Sequence, residues 1–301
     1  MAKIPEKLMI IVNPASGAGK SLDILPEVEN IITELGAQPD IRISKSADHA
    51  TELAKTAADC GYERIIAIGG DGTVNMVAAG ILGSPVVLGI IPAGTGNDFF
   101  RMLEIEGDLA AICRNAAKGD TIETDIGRFN GRPFFNMLGI GFDAMVAKSV
   151  RGDRRNLGLM TYLIAVYKNL KDYPTNDIKL RIDSYELDKK ALLVAIGIGR
   201  STGSGIHLTP SAKLDDNKFD VCLVKHIKPL RLLSLLPRAV KGRHIRQPEV
   251  EMYRCRQLEI YSSRPLPIHY EGETVMSDNG KISIKMCRDK LHVAAGVKLT
   301  R

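Results

Sequence analysis

The first 120 residues alternate compact apolar runs with longer stretches whose apolar positions fall at helical spacing. LMIIVN (8–13) predicts a strand, and SLDILPEVENIITELG (21–36) a helix stopped by Gly36. A short strand follows around Asp40–Ser44, then a helix from Asp48, a good N-cap residue, to about Cys60. RIIAIGG (64–70) predicts a strand, TVNMVAAGIL a helix and VVLGIIP (86–92) another strand. Repeated β–α units with wholly apolar strands predict a parallel sheet covered on both faces.

From about Thr121 the pattern changes to strands of mixed or alternating character: ETDIGRF, PFFNMLGIG, DIKLRID, ALLVAIGIG, KFDVCLV, QLEIYSS, KISIKM and LHVAAG. These predict a mainly antiparallel β-sandwich, interrupted by helices near 157–171 and 229–241. The expected division is an α/β domain over 1–120 and a β-rich domain over 121–301, with no low-complexity linker between them. Whether the last residues return to the first domain stays open.

Composition narrows the classes. Hydrophobic residues make up 45% and charged residues 25% of 301, which is globular usage. No apolar run approaches the roughly 20 residues of a membrane span, and MAKIPEKLMIIVNP reads as a first strand rather than a signal peptide. Cys60, Cys113, Cys222, Cys255 and Cys287 are scattered singly, which argues against a disulfide framework and for a reducing cytoplasm. The formal charge of +6 suits anionic partners. Eight Tyr, seven Phe and no Trp leave little for base stacking, so nucleic acid is not expected.

Three glycine-rich turns each follow a predicted strand of the first domain: NPASGAGKS (13–21), GGDGTVN (69–75) and PAGTGND (92–98). Loops at the carboxyl ends of strands line the ligand crevice of an open α/β sheet. Glycine lets backbone amides approach a phosphate, and helix N-termini add partial positive charge. Three tight turns needing positive φ would explain one such loop, but three on one sheet edge point to phosphate. Neither common phosphate motif fits. Pro14-Ala15 stands where a P-loop needs its first glycine, and Leu22 occupies the third position of a GxGxxG starting at Gly17. Gly139-x-Gly141-x-x-Ala144 fits the looser form but has no acidic residue about 20 positions on, and reads as a β-turn feature. Asp71 would repel phosphate unless a metal bridges them or the carboxylate meets a sugar hydroxyl or a backbone amide. It also reads as N-cap of a helix starting near Thr73.

Gly69-Gly70-Asp71-Gly72-Thr73-Val74-Asn75, with Pro92-Ala93-Gly94-Thr95-Gly96-Asn97-Asp98 and the preceding Asn13-Pro14-Ala15-Ser16-Gly17, resembles the diacylglycerol kinase catalytic domain family. The likeness is greatest to bacterial soluble lipid kinases, which are related to sphingosine and ceramide kinases. The resemblance implies a nucleotide-binding α/β domain, a lipid against the β-rich domain, and ATP-dependent phosphorylation of a lipid hydroxyl. By position it implies ATP contacts from Asn13, Pro14, Ala15, Ser16, Gly17, Ser44, Gly69, Gly70, Asp71, Gly72, Thr73, Val74, Asn75 and Thr95, with Asp71 also among the catalytic residues. Ser44 stands where relatives often have threonine, and either hydroxyl can donate. The segment 211–219 resembles the family's second-domain metal loop. The implied site is a structural Mg²⁺ held by the Asp216 carboxylate and backbone oxygens near Lys213 and Lys218.

The family carries Asp-Gly-Glu late in the chain for the residue that takes up the hydroxyl proton. Here the segment is Glu271-Gly272-Glu273. Glu273 matches and is the implied base, with Glu271 beside it in place of the aspartate. The extra methylene moves that carboxylate by roughly 1.5 Å, and catalysis responds to shifts of about 1 Å. Asp98 and Asp143 also match family positions, below Asp71 in weight.

KHIKPLRLLSLLPRAVKGRHIR (225–246) combines leucines with basic ends. It reads either as an amphipathic helix at an anionic membrane surface or as a core-packed helix with solvated ends. The expected protein is cytoplasmic, with peripheral association at the inner membrane face and an open oligomeric state for which a homodimer is one option. Two rival readings stand beside the lipid kinase. An NAD kinase shares GGDGT, although Gly96-Asn97-Asp98 belongs to the lipid-kinase pattern. A nucleotide- or lipid-binding regulator with weakened catalysis is motivated by Glu271.

Overall fold

Apolar runs with no polar face must be buried on both sides, and the computed structural model builds those of the N-terminal part into a parallel sheet. It describes residues 4–150, 164–166, 168–169, 175–203, 205–270 and 273–296. The chain divides into two units, Met1–Thr124 with Asp289–Arg301, and Asp125–Arg288.

In the first unit, strands β1 (Leu8–Val12), β2 (Asp40–Ile43), β3 (Arg64–Gly69), β4 (Val87–Pro92), β5 (Thr121–Thr124) and the last strand of the chain, β17 (Leu291–Ala294), form one sheet. Its order is β2-β1-β3-β4-β17-β5. All neighbours are parallel except β17 and β5. The helices are α1 (Lys20–Asp23), α2 (Leu25–Glu34), α3 (Ala47–Asp59), α4 (Asp71–Gly80), α5 (Asp98–Met102) and α6 (Leu109–Lys118). Leu8, Ile10, Val12, Ile66 and Ile68 pack with Val28 and Ile32 of α2 and Cys113 and Ala116 of α6. Met9, Ile11, Ile65 and Ala67, of opposite parity in the same strands, are buried as well, so the sheet is covered on both faces.

Three details differ from the sequence reading. The helix expected over 21–36 is two, because Pro26 opens α2 and Ile24 lies between them. Ser46, not Asp48, caps α3, since its Oγ accepts from the His49 N–H at 3.1 Å while Asp48 sits in the first turn. Residues 121–124, read as part of the β-rich domain, form β5 at the edge of the first sheet, with β17 returning beside it. The guanidinium of Arg64, 8% exposed, donates to the carbonyls of Asn115, Ala116 and Gly119 at 3.1–3.3 Å and so closes the C-terminus of α6. Burial lowers its pKa to about 10.

The second unit is antiparallel. Its strands are β6 (Gly127–Phe129), β7 (Arg132–Phe134), β8 (Met137–Gly141), β9 (Asn176–Ile182), β10 (Tyr185–Gly197), β11 (Phe219–Lys225), β12 (Val250–Cys255), β13 (Gln257–Ser262), β14 (Pro267–Tyr270), β15 (Glu273–Met276) and β16 (Lys281–Met286). The long strand β10 belongs to two layers. Residues 185–191 pair with β9, and 193–197 lie between β8 and β11, with a bulge between Ala191 and Leu193 where the partner changes. One layer continues through β9, β13, β16, β6 and β7, the other through β8, β14 and β15 and through β11 and β12. Ile140 and Val194 of one layer and Ile178 and Ile260 of the other line a common small cavity.

Helices α7 (Phe142–Val150) and α8 (Pro229–Val240) cover this unit. Leu232, Leu235 and Ala239 of α8 are buried with Phe142, Val146, Leu193, Leu208 and Val224. Of the two readings of 225–246, the structure has the core-packed helix. Most of the helix expected at 157–171 lies outside the described residues, and 164–166 with 168–169 are helical. Gly139–Ala144 is not a β-turn, because β8 runs to Gly141 and α7 begins at Phe142. All five cysteines are free. Among the described residues no helix is long and apolar enough to cross a membrane.

Candidate functional site

Parallel strands place the loops that follow them on one sheet edge, and β1, β3 and β4 carry the three glycine-rich turns. Pairing of Val12 with Ile68 and of Gly69 with Pro92 brings their ends level. The turns then touch directly. A Cβ on Gly94 would lie 2.4 Å from the Cα of Gly70. Gly17, at φ +59°, lies so close to Ala93 that a Cβ would meet its carbonyl oxygen at 2.0 Å. The chain therefore has glycine where backbone meets backbone.

Polar side chains tie the turns together. The Asn13 side-chain amide donates to Thr73 Oγ1 at 3.0 Å, and the Ser16 and Thr73 hydroxyls lie 3.3 Å apart. Ser16 Oγ accepts from the Gly70 N–H at 3.3 Å. Ser21 Oγ donates to the Asn13 carbonyl at 2.6 Å. Asn97, in the left-handed region at φ +53°, closes its own loop by donating to the Gly94 carbonyl at 2.8 Å and accepting the Gly94 N–H at 3.1 Å. Thr73 and Asn75 are buried, and Asn75 Oδ1 has no hydrogen-bond partner among the described residues. Ser44 is buried and spends its hydroxyl on the Val12 carbonyl at 3.1 Å, whereas Thr95 is exposed on its loop. Pro14 and Ala15 begin the first turn, and Val74 is buried in the first turns of α4. The structure thus gathers the residues of all three motifs at one edge.

Asp71 departs from its expected role as N-cap of its own helix. Gly70 holds that position, and Asp71 is the first residue of α4. Its Oδ1 instead accepts from the Phe99 N–H at 3.1 Å, at the start of α5. Burial and the neighbouring Asp98 carboxylate push the Asp71 pKa above the ordinary value, while the N–H groups of Phe99, Asp98 and Asn97 pull it down. Two crowded carboxylates beside loops rich in N–H groups suit a cation shared with phosphate oxygens. Among the described residues no three His, Cys, Asp or Glu side chains gather as a metal cluster.

In the second unit, Asn217 sits in the left-handed region at φ +58° and donates its N–H to Asp125 Oδ2 at 2.6 Å. Asp216 Oδ1 accepts from the Lys218 N–H at 3.1 Å, and its other oxygen is paired with Arg254. Arg254 also lies 3.4 Å from Asp220. The Asp216 carboxylate is the one the resemblance implies as the Mg²⁺ ligand. A carboxylate already neutralised by arginine does not fit a dication near Lys213, Asp216 and Lys218.

Glu273 is the first residue of β15 and the register partner of Tyr270, and Glu271 lies outside the described residues. Asp143, in the first turn of α7, lies 3.6 Å from His269 Nδ1. Neither this pairing nor that of Arg254 has a local signal, because the partners stand 126 and 38 positions apart in the chain.

Comparison with known proteins agrees with this architecture. Residues 7–129 match the diacylglycerol kinase catalytic domain, and residues 136–286 the YegS C-terminal NAD kinase beta sandwich-like domain. A diacylglycerol kinase of Staphylococcus carnosus is 30% identical over 271 residues, covering 89% of each chain. That of Staphylococcus haemolyticus is 30% identical over 287 residues, covering 94% of this chain and 86% of its own. A crystal structure of a Bacillus anthracis diacylglycerol kinase superposes with a TM-score of 0.73 at 21% identity, covering 98% of both chains. An Archaeoglobus fulgidus NAD kinase in complex with ATP gives 0.56 at 13% identity over 97% of this chain and 94% of its own, a likeness of fold. On these matches the chain belongs to the diacylglycerol kinase catalytic domain family, a family of kinases.

Proposed function

We propose that the protein is an ATP-dependent lipid kinase that moves the γ-phosphate of ATP to a hydroxyl of a lipid such as diacylglycerol, with Mg²⁺. The observation that carries this reading is the meeting of the three loops at the ends of β1, β3 and β4. Gly70 lies against Gly94, and one hydroxyl, that of Thr73, is shared by Asn13 and Ser16.

Each part has a role in phosphoryl transfer, which depends on positioning and charge neutralisation. The first turn of α4 offers N–H groups with no partner inside the helix, aimed at anionic oxygens. Asn13, Ser16 and Thr73 set the spacing between the first two loops, and the buried side-chain Oδ1 of Asn75 is an acceptor with no hydrogen-bond partner among the described residues. Mg²⁺ held by Asp71 would neutralise phosphate charge, and its presence would relieve the crowding of Asp71 and Asp98. Glu273 is the base that accepts the proton of the lipid hydroxyl as that oxygen bonds to the γ-phosphorus and ADP departs. Glu271, two positions earlier in the sequence, is the second candidate. The lipid lies on the β-rich unit.

Membrane association is peripheral and electrostatic. The buried leucines of α8 leave the exposed Lys228, Arg238, Lys241, Arg243 and Arg246 to face anionic headgroups at the cytoplasmic leaflet. Each is worth about 1 kcal/mol near such a surface.

The test is transfer of labelled phosphate from ATP in mixed micelles to a panel of lipids, with NAD⁺ as a further acceptor and Asp71→Ala and Glu273→Gln beside the wild type. Phosphorylated lipid from the wild type and from neither variant is the expected result. Transfer to NAD⁺ alone would replace the reading with an NAD kinase. ATP binding without transfer to any acceptor would replace it with a binding protein, for which Glu271 in place of aspartate supplies the reason.

A further inference from the structure

β14 and β15 form the hairpin that leads into Glu271 and out through Glu273, and only residues 271 and 272 separate the strands. Among the described residues β15 is the last strand of its layer, and the hairpin pairs with the sheet through β14. Its register there is fixed: Ile268 pairs with Ile140, His269 with Gly139 and Tyr270 with Leu138 of β8. Helix α7, which follows β8 directly, packs over β14 and β15.

Both residues before Glu271 are anchored by side chains. The Tyr270 ring meets Phe129 edge-on, with centroids 4.6 Å apart, and its hydroxyl accepts from Arg132 at 3.3 Å. His269 is anchored to Asp143. The two are 3.6 Å apart, ion-pair distance rather than a hydrogen bond. The Asp143 side chain is 3% exposed and that of His269 21%. Glycine makes this approach possible. Gly139 is the cross-strand partner of His269, and a Cβ there would lie 1.9 Å from Asp143 Oδ2. The carboxylate rests on the bare Cα of Gly139 and reaches His269 on the neighbouring strand. Thr274 of β15 pairs with His269 on its other side.

We propose that His269, held by Asp143, is a positioning residue for phosphoryl transfer. The pair ties the N-terminus of α7 to β14 and so fixes the strand that pairs with β15, which Glu273 begins. This rests on the reading of Glu273, with Glu271, as the carboxylate that accepts the proton. Catalysis responds to misplacement of about 1 Å by a factor on the order of 10², so an edge hairpin needs such an anchor.

The test compares kcat, KM and thermal midpoint for the wild type, His269→Ala, His269→Asn, Asp143→Asn and Glu273→Gln. His269→Ala is expected to lower kcat by about 10- to 100-fold and to leave KM for ATP unchanged. Asparagine places an N–H close to where Nδ1 stood, so His269→Asn is expected to recover most of that loss. Asp143→Asn combined with His269→Ala should be no slower than the worse single variant, because the two act as one unit. Wild-type kcat in His269→Ala would overturn the proposal. So would a folded His269→Asn as slow as the alanine variant, since the imidazole would then act through its own chemistry. Glu273→Gln separates the two readings. It should lose about 10²- to 10⁴-fold as the base. Full activity there would remove the base assignment while the His269 variants still decide the anchor.

Discussion

Gly72 and Gly94 belong to motifs of equal standing in the sequence, and the structure separates what an alanine does at each. At Gly94 the added Cβ would stand 2.4 Å from Gly70 Cα, where ordinary contact begins at 3.4 Å, so the two loops must part by about 1.0 Å (3.4 − 2.4). Overpacking of this kind costs about 1–3 kcal/mol, which lowers the thermal midpoint by about 2–4 °C per kcal/mol. A displacement of that size lowers kcat/KM by a factor on the order of 10². At Gly72 a Cβ meets nothing within 4 Å, and the residue is exposed in the first turn of α4. Alanine there favours the helix by up to about 1 kcal/mol, so the midpoint of Gly72→Ala should hold or rise. Yet the methyl group stands where a phosphate would approach the N–H groups of that turn, and KM for ATP should rise by about tenfold, or 1.4 kcal/mol of binding. The assay is differential scanning calorimetry with initial-rate kinetics on both variants. A Gly72→Ala protein with wild-type KM would refute phosphate binding at this turn. A Gly94→Ala protein with wild-type midpoint and kinetics would refute the claim that the site depends on contact between the loops.

Three further outcomes follow from single contacts. Arg64→Met should destabilise the first unit by about 2–4 kcal/mol, since it removes a buried guanidinium that donates to three carbonyls at the end of α6, of which that of Asn115 keeps the Gly119 N–H. A melt unchanged by that substitution would show that the guanidinium contributes nothing. Burial and Asp98 raise the Asp71 pKa, so the contribution of Asp71 to stability is fully present below the ordinary carboxylate value of 3.8 and is lost as pH rises through the folded value. Asp71→Asn should therefore raise the midpoint of the ligand-free protein at pH 7, leave it unchanged at pH 3 and abolish transfer, and equal shifts at both pH values would contradict the sign. Because Arg254 neutralises Asp216, EDTA should leave the melt of the second unit unchanged, while Arg254→Gln should lower its stability by about 0.5–1 kcal/mol for a half-exposed pair. A chelator-sensitive melt would restore a dication to that loop.

What the sequence made legible follows from where the information sits. β1, β3 and β4 could be read because a strand buried on both faces is a continuous apolar run, and the three turns because glycine is the residue that permits backbone contact. β12, β14 and β15 were missed, since strands of four to six residues with mixed exposure have no run and hardly any alternation. The leucines of 225–246 could not be assigned to core or membrane, because the same stripe serves both. Asp71 was read as capping its own helix. It accepts from Phe99, 28 positions away, and only the meeting of β3 and β4 brings the two together. Arg254 and His269 lie further beyond local reading, because their carboxylate partners come from a distant turn and a distant helix.

The place of β17 has a consequence for how the protein is made. It lies between β4 and β5, pairing Val293 with Leu88, so among the described residues the flank of β4 is covered by a strand far downstream in the sequence. From Pro92 to Leu291 is 199 positions. At about 5–20 residues per second of synthesis, the open flank waits roughly 10–40 s on the ribosome for its neighbour. During that interval the nascent kinase presents an unpaired, apolar strand edge, the feature that most invites pairing with another chain. Its first unit therefore matures last, and chaperone demand should fall on an N-terminal half that has long since emerged.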